Sequence, residues 1–287
     1  MEDMLRYALL PILIAALIGG ALMLYSSEGR QLIDRVSIAL TRAENHWYYR
    51  RGRPLPSTPD LAKLDQRLAA QGLELGAPVF LRIFKLDSEL ELWMEKDGRY
   101  RLFATYPICL WSGRLGPKLQ EGDLQAPEGF YTVGKEQLNP NSRWHRSFSL
   151  GFPNEFDRAQ GRTGSFLMVH GGCASIGCYA MTNDVIDEIW RVVTTALDRG
   201  QAAFQVQVFP FRMTEANLKA RSADRWSGFW ADLKRGYDSF ERTHVPPSVS
   251  VCDGRYVIAD GSAVAGEPDC PGAAAREPVA RQDQPKG

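Results

Sequence analysis

The chain has 287 residues, enough for one domain with a sizeable core plus extensions. Its 34 Lys and Arg balance its 34 Asp and Glu, and the basic residues are scattered apart from Arg50, Arg51 and Arg53. That excludes the basic footprint of a nucleic-acid binder, so no nucleic-acid partner is expected.

In chain order, the first element is an apolar run, Tyr7–Tyr25, with no charge between Arg6 and Glu28. It is long enough to cross a bilayer. Its bulky end, Leu22 to Tyr25, offers no small-residue cleavage site, so we expect an uncleaved anchor over residues 1–28 that reaches the inner membrane. Arg30, Arg35 and Arg42 follow the run and only Arg6 precedes it, which on charge alone would place the N-terminus outside. The chemistry below requires the opposite orientation, and we follow the chemistry.

Residues 29–77 read as a helical stalk or preface. Leu32, Ile33, Val36, Leu40 and Trp47 recur near helical spacing over Arg30–Tyr49, and a second helix is predicted at about 59–71. From Pro78 the texture changes to short β-branched and aromatic runs. Val79–Lys85, Leu90–Glu95, Tyr100–Ile108, Tyr131–Val133, Ser147–Leu150, Ser165–Val169 and Ala203–Phe209 are predicted strands, with a hairpin turn at Asp97 and Gly98. Asn183–Asp198 is a predicted helix capped by Thr182 or Asn183. Thr214–Phe240 is a second helical region, in which Trp226, Phe229, Trp230, Leu233 and Tyr237 form a core-packing stripe. This describes a mainly β domain with accessory helices over 78–245. A C-terminal strand and a disordered Ala-, Gly- and Pro-rich tail are expected over 246–287.

The densest chemistry lies at residues 170–181, where His170, Cys173 and Cys178 sit among Gly171, Gly172 and Gly177. Cys178 precedes a predicted helix, whose dipole and free amides would stabilise a thiolate. Gly177 permits an unusual backbone angle and close substrate approach, and the amides of Gly177 and Cys178 could hold an oxyanion. His170 ends an apolar run and is the natural proton acceptor. On residue types alone three readings stand: a thiol nucleophile with a histidine base, a metal site of His170, Cys173 and Cys178, or structural cysteines. The metal spacing matches no common zinc set, and no further Cys/His cluster supplies a fourth ligand. Five cysteines make an odd count, which suits one free thiol; Cys252 and Cys270 could pair.

These residues resemble the active-site motif of the L,D-transpeptidase catalytic domain, His-Gly, a spacer, then Ser-His-Gly-Cys. Here it reads His170-Gly171, then Ser175-Ile176-Gly177-Cys178. Two more stretches are similar to the family: Gly116 to Lys118 with Glu121 to Asp123 and Pro127 to Tyr131, and Gly151 to Asp157. The short spacer and Tyr179, Ala180 and Met181 look like a murein L,D-transpeptidase-like branch. That branch includes a hydrolase detaching a lipoprotein from peptidoglycan. The resemblance implies a β-sandwich catalytic domain and cysteine acyl chemistry on peptidoglycan stem peptides, without metal or cofactor. Cys178 would carry the acyl group, His170 move the proton and Gly177 shape the site. Ser175, Gly171, Lys118, Asn154, Asp157 and Arg162 would contact substrate, with Glu121 and Asp123 beside Lys118; Cys173 would be a bystander. The motif's second histidine is Ile176 here. A peptidoglycan-linked outer-membrane lipoprotein is a further expected partner. Release of that lipoprotein by hydrolysis is the alternative reaction, and a non-catalytic peptidoglycan-binding scaffold is the alternative of another class.

Overall fold

The computed structural model describes residues 26–261 and residue 270. The expected anchor Tyr7–Tyr25 and the tail after Gly261, apart from Cys270, lie outside the described residues. Among the described residues no helix is long and apolar enough to cross a membrane.

Ser26 caps helix α1 (Ser27–Arg50), its hydroxyl accepting the Gly29 N–H at 3.0 Å. This helix packs against the domain. Ile38 and Asn45 are buried, Asn45 Nδ2 donates to Ile108 O at 3.0 Å, and Asp34 takes two hydrogen bonds from the Arg221 guanidinium. A 3-10 turn, Leu61–Lys63, leads into α2 (Leu64–Gln71), which buries Leu64 and Leu68. The predicted start near Pro59 is late because Asp60 is extended.

Two five-stranded sheets follow. The first runs β3 (Arg99–Pro107), β2 (Glu89–Lys96), β1 (Val79–Phe84), β10 (Ala203–Phe209), β5 (Gly129–Gly134). Asp97 and Gly98 both have positive φ, as the two-residue turn joining β2 to β3 requires. The second sheet runs β4 (Leu110–Trp111), β9 (Tyr179–Ala180), β8 (Met168–His170), β7 (His145–Ser149), β6 (Leu138–Ser142). All its pairs are antiparallel except β8 with β9.

The main core lies between the sheets. Leu81, Ile83, Val206 and Val208 of the first share it with Trp111, Phe148, Val169 and Tyr179 of the second. Phe148 and Phe204 meet edge to face at 5.6 Å across it. Helix α4 (Asn183–Asp198), capped by Thr182, adds Val185, Ile186, Ile189, Val192 and Val193 from its apolar face.

A second core covers the other face of the first sheet. Phe84, Phe130 and Phe209 meet Trp230 and Leu233 of α6 (Ser227–Thr243) and Tyr256 of the hairpin β11 (Ser248–Cys252)–β12 (Arg255–Ala259). The expected single helical region after Thr214 is two helices, α5 (Glu215–Lys219) and α6. Asp224 Oδ1 accepts the Trp226 N–H at 2.9 Å and turns the chain between them. With helices of 24, 16 and 17 residues, the architecture is mixed α+β, less β-dominated than the strand pattern suggested. Short strands such as β4 and β9 have no periodicity to read.

Candidate active site

β8 ends on His170, and β9 begins one residue after Cys178. The two strands are parallel with Val169 opposite Tyr179 and His170 opposite Ala180. Cys178 lies in the bend just before β9, two residues before Ala180, the partner of His170. The helix begins at Asn183 behind its Thr182 cap, as expected, but the strand Tyr179–Ala180 stands between it and Cys178, so the thiol is not at the helix N-terminus.

His170 is buried, and Trp144 lies over its ring at a centroid distance of 5.6 Å. Its Nδ1 is 2.6 Å from Gly171 O. A carbonyl oxygen only accepts, so Nδ1 carries the proton and Nε2 is left with a lone pair. Gly171 is required here, since a Cβ would lie 2.8 Å from Asn183 Oδ1 and 2.9 Å from Trp144 O. Burial pushes the imidazole below its usual range, opposed by the bond to Gly171.

Cys178 is the only free cysteine. Cys109 pairs with Cys173, and Cys252 with Cys270. Cys173 is therefore no bystander in the fold: its disulfide ties the loop before Cys178 to the residue before β4. The Cys178 Sγ donates to Phe166 O at 3.4 Å, and Phe166 holds φ at +55° to present that carbonyl. Burial raises the thiol above its ordinary value, while the Met168 amide and the charge of Lys118 pull it down. Burial thus favours the neutral form of both groups.

Two hydroxyls brace the turn. Ser175 Oγ donates to Cys178 O at 2.7 Å and accepts the Cys178 N–H at 3.0 Å. Ser112 Oγ accepts the Gly177 N–H at 2.6 Å and lies 3.2 Å from Ser175 Oγ. Gly177 has φ +122°, and a Cβ would meet Leu167 at 3.2 Å. Both amides expected to hold an oxyanion are thus engaged by hydroxyls, and an oxyanion would have to displace them. Ser112 escaped the sequence reading because it follows a two-residue strand and is distant in sequence. Ile176 is 73% exposed and Phe166 82%, so two apolar side chains stand out in solvent within a few residues of the thiol or its acceptor carbonyl.

The other expected substrate residues serve internal bonds. Lys118 is buried, with Nζ donating to Gln120 O at 2.9 Å and to Asp123 Oδ1 at 2.5 Å. Its charge favours the Cys178 thiolate, against the larger effect of burial. Glu121 is exposed in the same loop, its N–H donating to Thr163 Oγ1 at 3.1 Å. Asn154 caps α3 (Glu155–Ala159) and donates to Phe130 O at 2.8 Å. Asp157 and Arg162 are buried and paired at 2.7 Å, with Tyr131 donating to Asp157 at 3.3 Å. Among the described residues no group of His, Cys, Asp and Glu could hold a metal ion.

The fold and site define an α+β protein with an imidazole at the end of one strand and a thiol in the turn that leads into its parallel neighbour. Residues 84–208 match the family model of the L,D-transpeptidase catalytic domain, YkuD. Over 184 residues, 64% of this chain and 75% of the relative, the sequence is 51% identical to YafK of Escherichia coli (strain K12), provisionally named an L,D-transpeptidase. The same values hold for YafK of Escherichia coli O157:H7. The chain belongs to the L,D-transpeptidase catalytic domain family. Among solved structures, the helical cell shape determining protein Pgp2 from Campylobacter jejuni matches at a TM-score of 0.38 and 19% identity, over 68% of this chain and 82% of that one. Bd1075 from Bdellovibrio bacteriovorus matches at 0.34 and 18%, over 58% of each.

Proposed function

We propose that the protein carries out cysteine-dependent acyl transfer on peptidoglycan stem peptides. Its domain would stand in the periplasm, tethered to the inner membrane by the run Tyr7–Tyr25. The observation that supports this is the one free thiol of five cysteines, in the turn leading into β9, whose parallel neighbour β8 ends on His170 with Nδ1 engaged by Gly171 O.

Rotation about χ1 swings the Cys178 thiol from Phe166 O toward His170. Nε2 takes the proton as Sγ bonds to the carbonyl carbon of the diaminopimelate residue. The resulting oxyanion competes with Ser112 and Ser175 for the amides of Gly177 and Cys178. Collapse breaks the C–N bond, the imidazolium returns its proton to the leaving amine, and a thioester remains on Cys178. An amine acceptor then gives a new amide, either a cross-link or a protein link. Water gives a carboxylate, which is how a covalently bound lipoprotein would be released. Both outcomes regenerate the thiol.

The test incubates the protein with tetrapeptide muropeptides and with lipoprotein-linked sacculi and identifies products by mass. We expect Cys178→Ala to lower turnover on the order of a thousandfold or more with its Tm retained. Turnover undiminished in that variant rejects Cys178 as nucleophile. Neither substrate being altered by the unsubstituted protein leaves the scaffold reading in its place.

A further inference from the structure

A cavity of about 540 Å³ lies between α1, the loop Gly113–Leu115 and the segment joining α5 to α6. That volume is in the range of small-ligand sites. Its walls come mainly from elements outside the stretch that matches the family model.

Six arginines and two aspartates line it, in a chain of zero net charge. Both aspartates are already engaged. Asp34 pairs with Arg221, at 2.7 and 2.8 Å. Asp224 accepts from Gln31 at 3.1 Å and from the Trp226 amide. Arg42 donates to Gly113 O at 3.2 Å and covers Trp111 at 4.2 Å. That leaves Arg30, Arg35, Arg114 and Arg225 with no carboxylate partner among the described residues. Trp226, Trp230, Leu115 and Ile38 supply apolar wall between the charges.

The cavity is joined to the thiol turn. Gly113 follows Ser112, whose hydroxyl holds the Gly177 amide. The Gln125 side chain takes the Arg114 N–H at 2.9 Å and donates to Arg114 O and Gly116 O at 2.6 and 2.7 Å. The Gln125 carbonyl lies 3.5 Å from where a Cβ on Gly177 would be.

We propose that this cavity binds the carboxylates of an acidic peptide substrate, as a subsite remote from the bond attacked by Cys178. The planar guanidinium fork matches a carboxylate in two-point contact, and the tryptophans take the aliphatic parts of the peptide. The proposal rests on the acyl-transfer reading for the identity of the substrate, and its binding step does not need the thiol.

The experiment is a calorimetric titration of the full chain in neutral detergent, carrying Cys178→Ala so that nothing turns over. The probes are a tetrapeptide muropeptide, the same compound with its carboxylates amidated, and inorganic phosphate. Arg35→Gln with Arg225→Gln tests the site. Both residues are exposed and make no ion pair among the described residues, and Arg225 covers Trp226 at 4.6 Å, so the Tm of the double variant is measured beside its binding and is expected to be retained. We expect the amidated probe to bind at least tenfold more weakly than the acidic one. The double variant should lose at least tenfold for the acidic probe and no longer distinguish the two. Affinity for the acidic probe should fall as salt rises. Unchanged affinity in the double variant overturns the proposal, as does phosphate binding as tightly as the peptide. If the unsubstituted protein fails to process muropeptides while arginine-dependent binding persists, the catalytic reading falls and the subsite stands.

Discussion

At the residue scale, the site stores its proton on sulfur. Burial acts on both partners in the direction of neutrality, raising the Cys178 thiol and lowering the His170 imidazole. Lys118 is the charge that limits the thiol's rise, and it is itself held by Asp123. Two pH profiles follow. Alkylation of Cys178 by iodoacetamide should have its midpoint above the usual thiol value of about 8.5. Turnover should persist on acidification until below about 6.5, where His170 finally protonates. An alkylation midpoint well under the ordinary thiol value would mean a preformed thiolate–imidazolium pair and would refute the neutral resting state. The sign for stability is the same. The unfolded histidine binds protons near 6.5 and the folded one only lower, so stability falls as pH drops through that interval, and His170→Gln should flatten the slope.

At the element scale, the two strands that matter are three and two residues long, and they are held from outside. β4 pairs with β9 through Leu110 and Trp111, and Cys109, just before β4, is bonded to Cys173 in the loop that leads to Cys178. The disulfide is buried with Leu55 and backed by Tyr48 and Leu110. It therefore fixes both the edge of the sheet and the entry to the thiol turn. Its closed loop spans a sequence separation of 64, for which chain entropy gives a stabilisation of about 4 kcal/mol. Cys109→Ser with Cys173→Ser should lower Tm by about 8 °C or more and slow turnover, with Cys178 still alkylated. An unchanged Tm would show that strand pairing alone holds the loop.

Across the whole molecule, one buried ion pair joins the layers. Lys85 at the end of β1 and Glu128 before β5 are both fully buried and 2.9 Å apart. Lys85 also donates to Gly116 O and Ala126 O, and Glu128 accepts from the Gly116 amide and from Trp230 of α6. The pair thus pins the loop between β4 and β5, which carries Lys118 and Gln125, to the first sheet on one side and to α6 on the other. Removing one member strands a buried charge, at a cost of about 3–5 kcal/mol. Glu128→Ala should lose that much in denaturant unfolding; a loss under about 1 kcal/mol would mean the loop is held by its other bonds.

The sequence by itself determined what is local or periodic. The α4 boundaries, the Asp97–Gly98 turn, the strand Ala203–Phe209 and the cap Thr182 rest on spacing and short-range hydrogen bonds. Cys178 and His170 were legible as candidates for the same reason, because both lie in one twelve-residue stretch that resembles a family motif. Tertiary structure alone decided which cysteines bond, that Lys118, Asp157 and Arg162 turn inward, and that the Gly177 amide goes to Ser112. It also brought α1 against the segment after α5 to form the cavity lined by Arg30, Arg35, Arg114 and Arg225. Each of these depends on contacts between residues tens to hundreds of positions apart. Such contacts leave no periodic trace in the chain, and the packing of the two sheets and the helices against them brings them together.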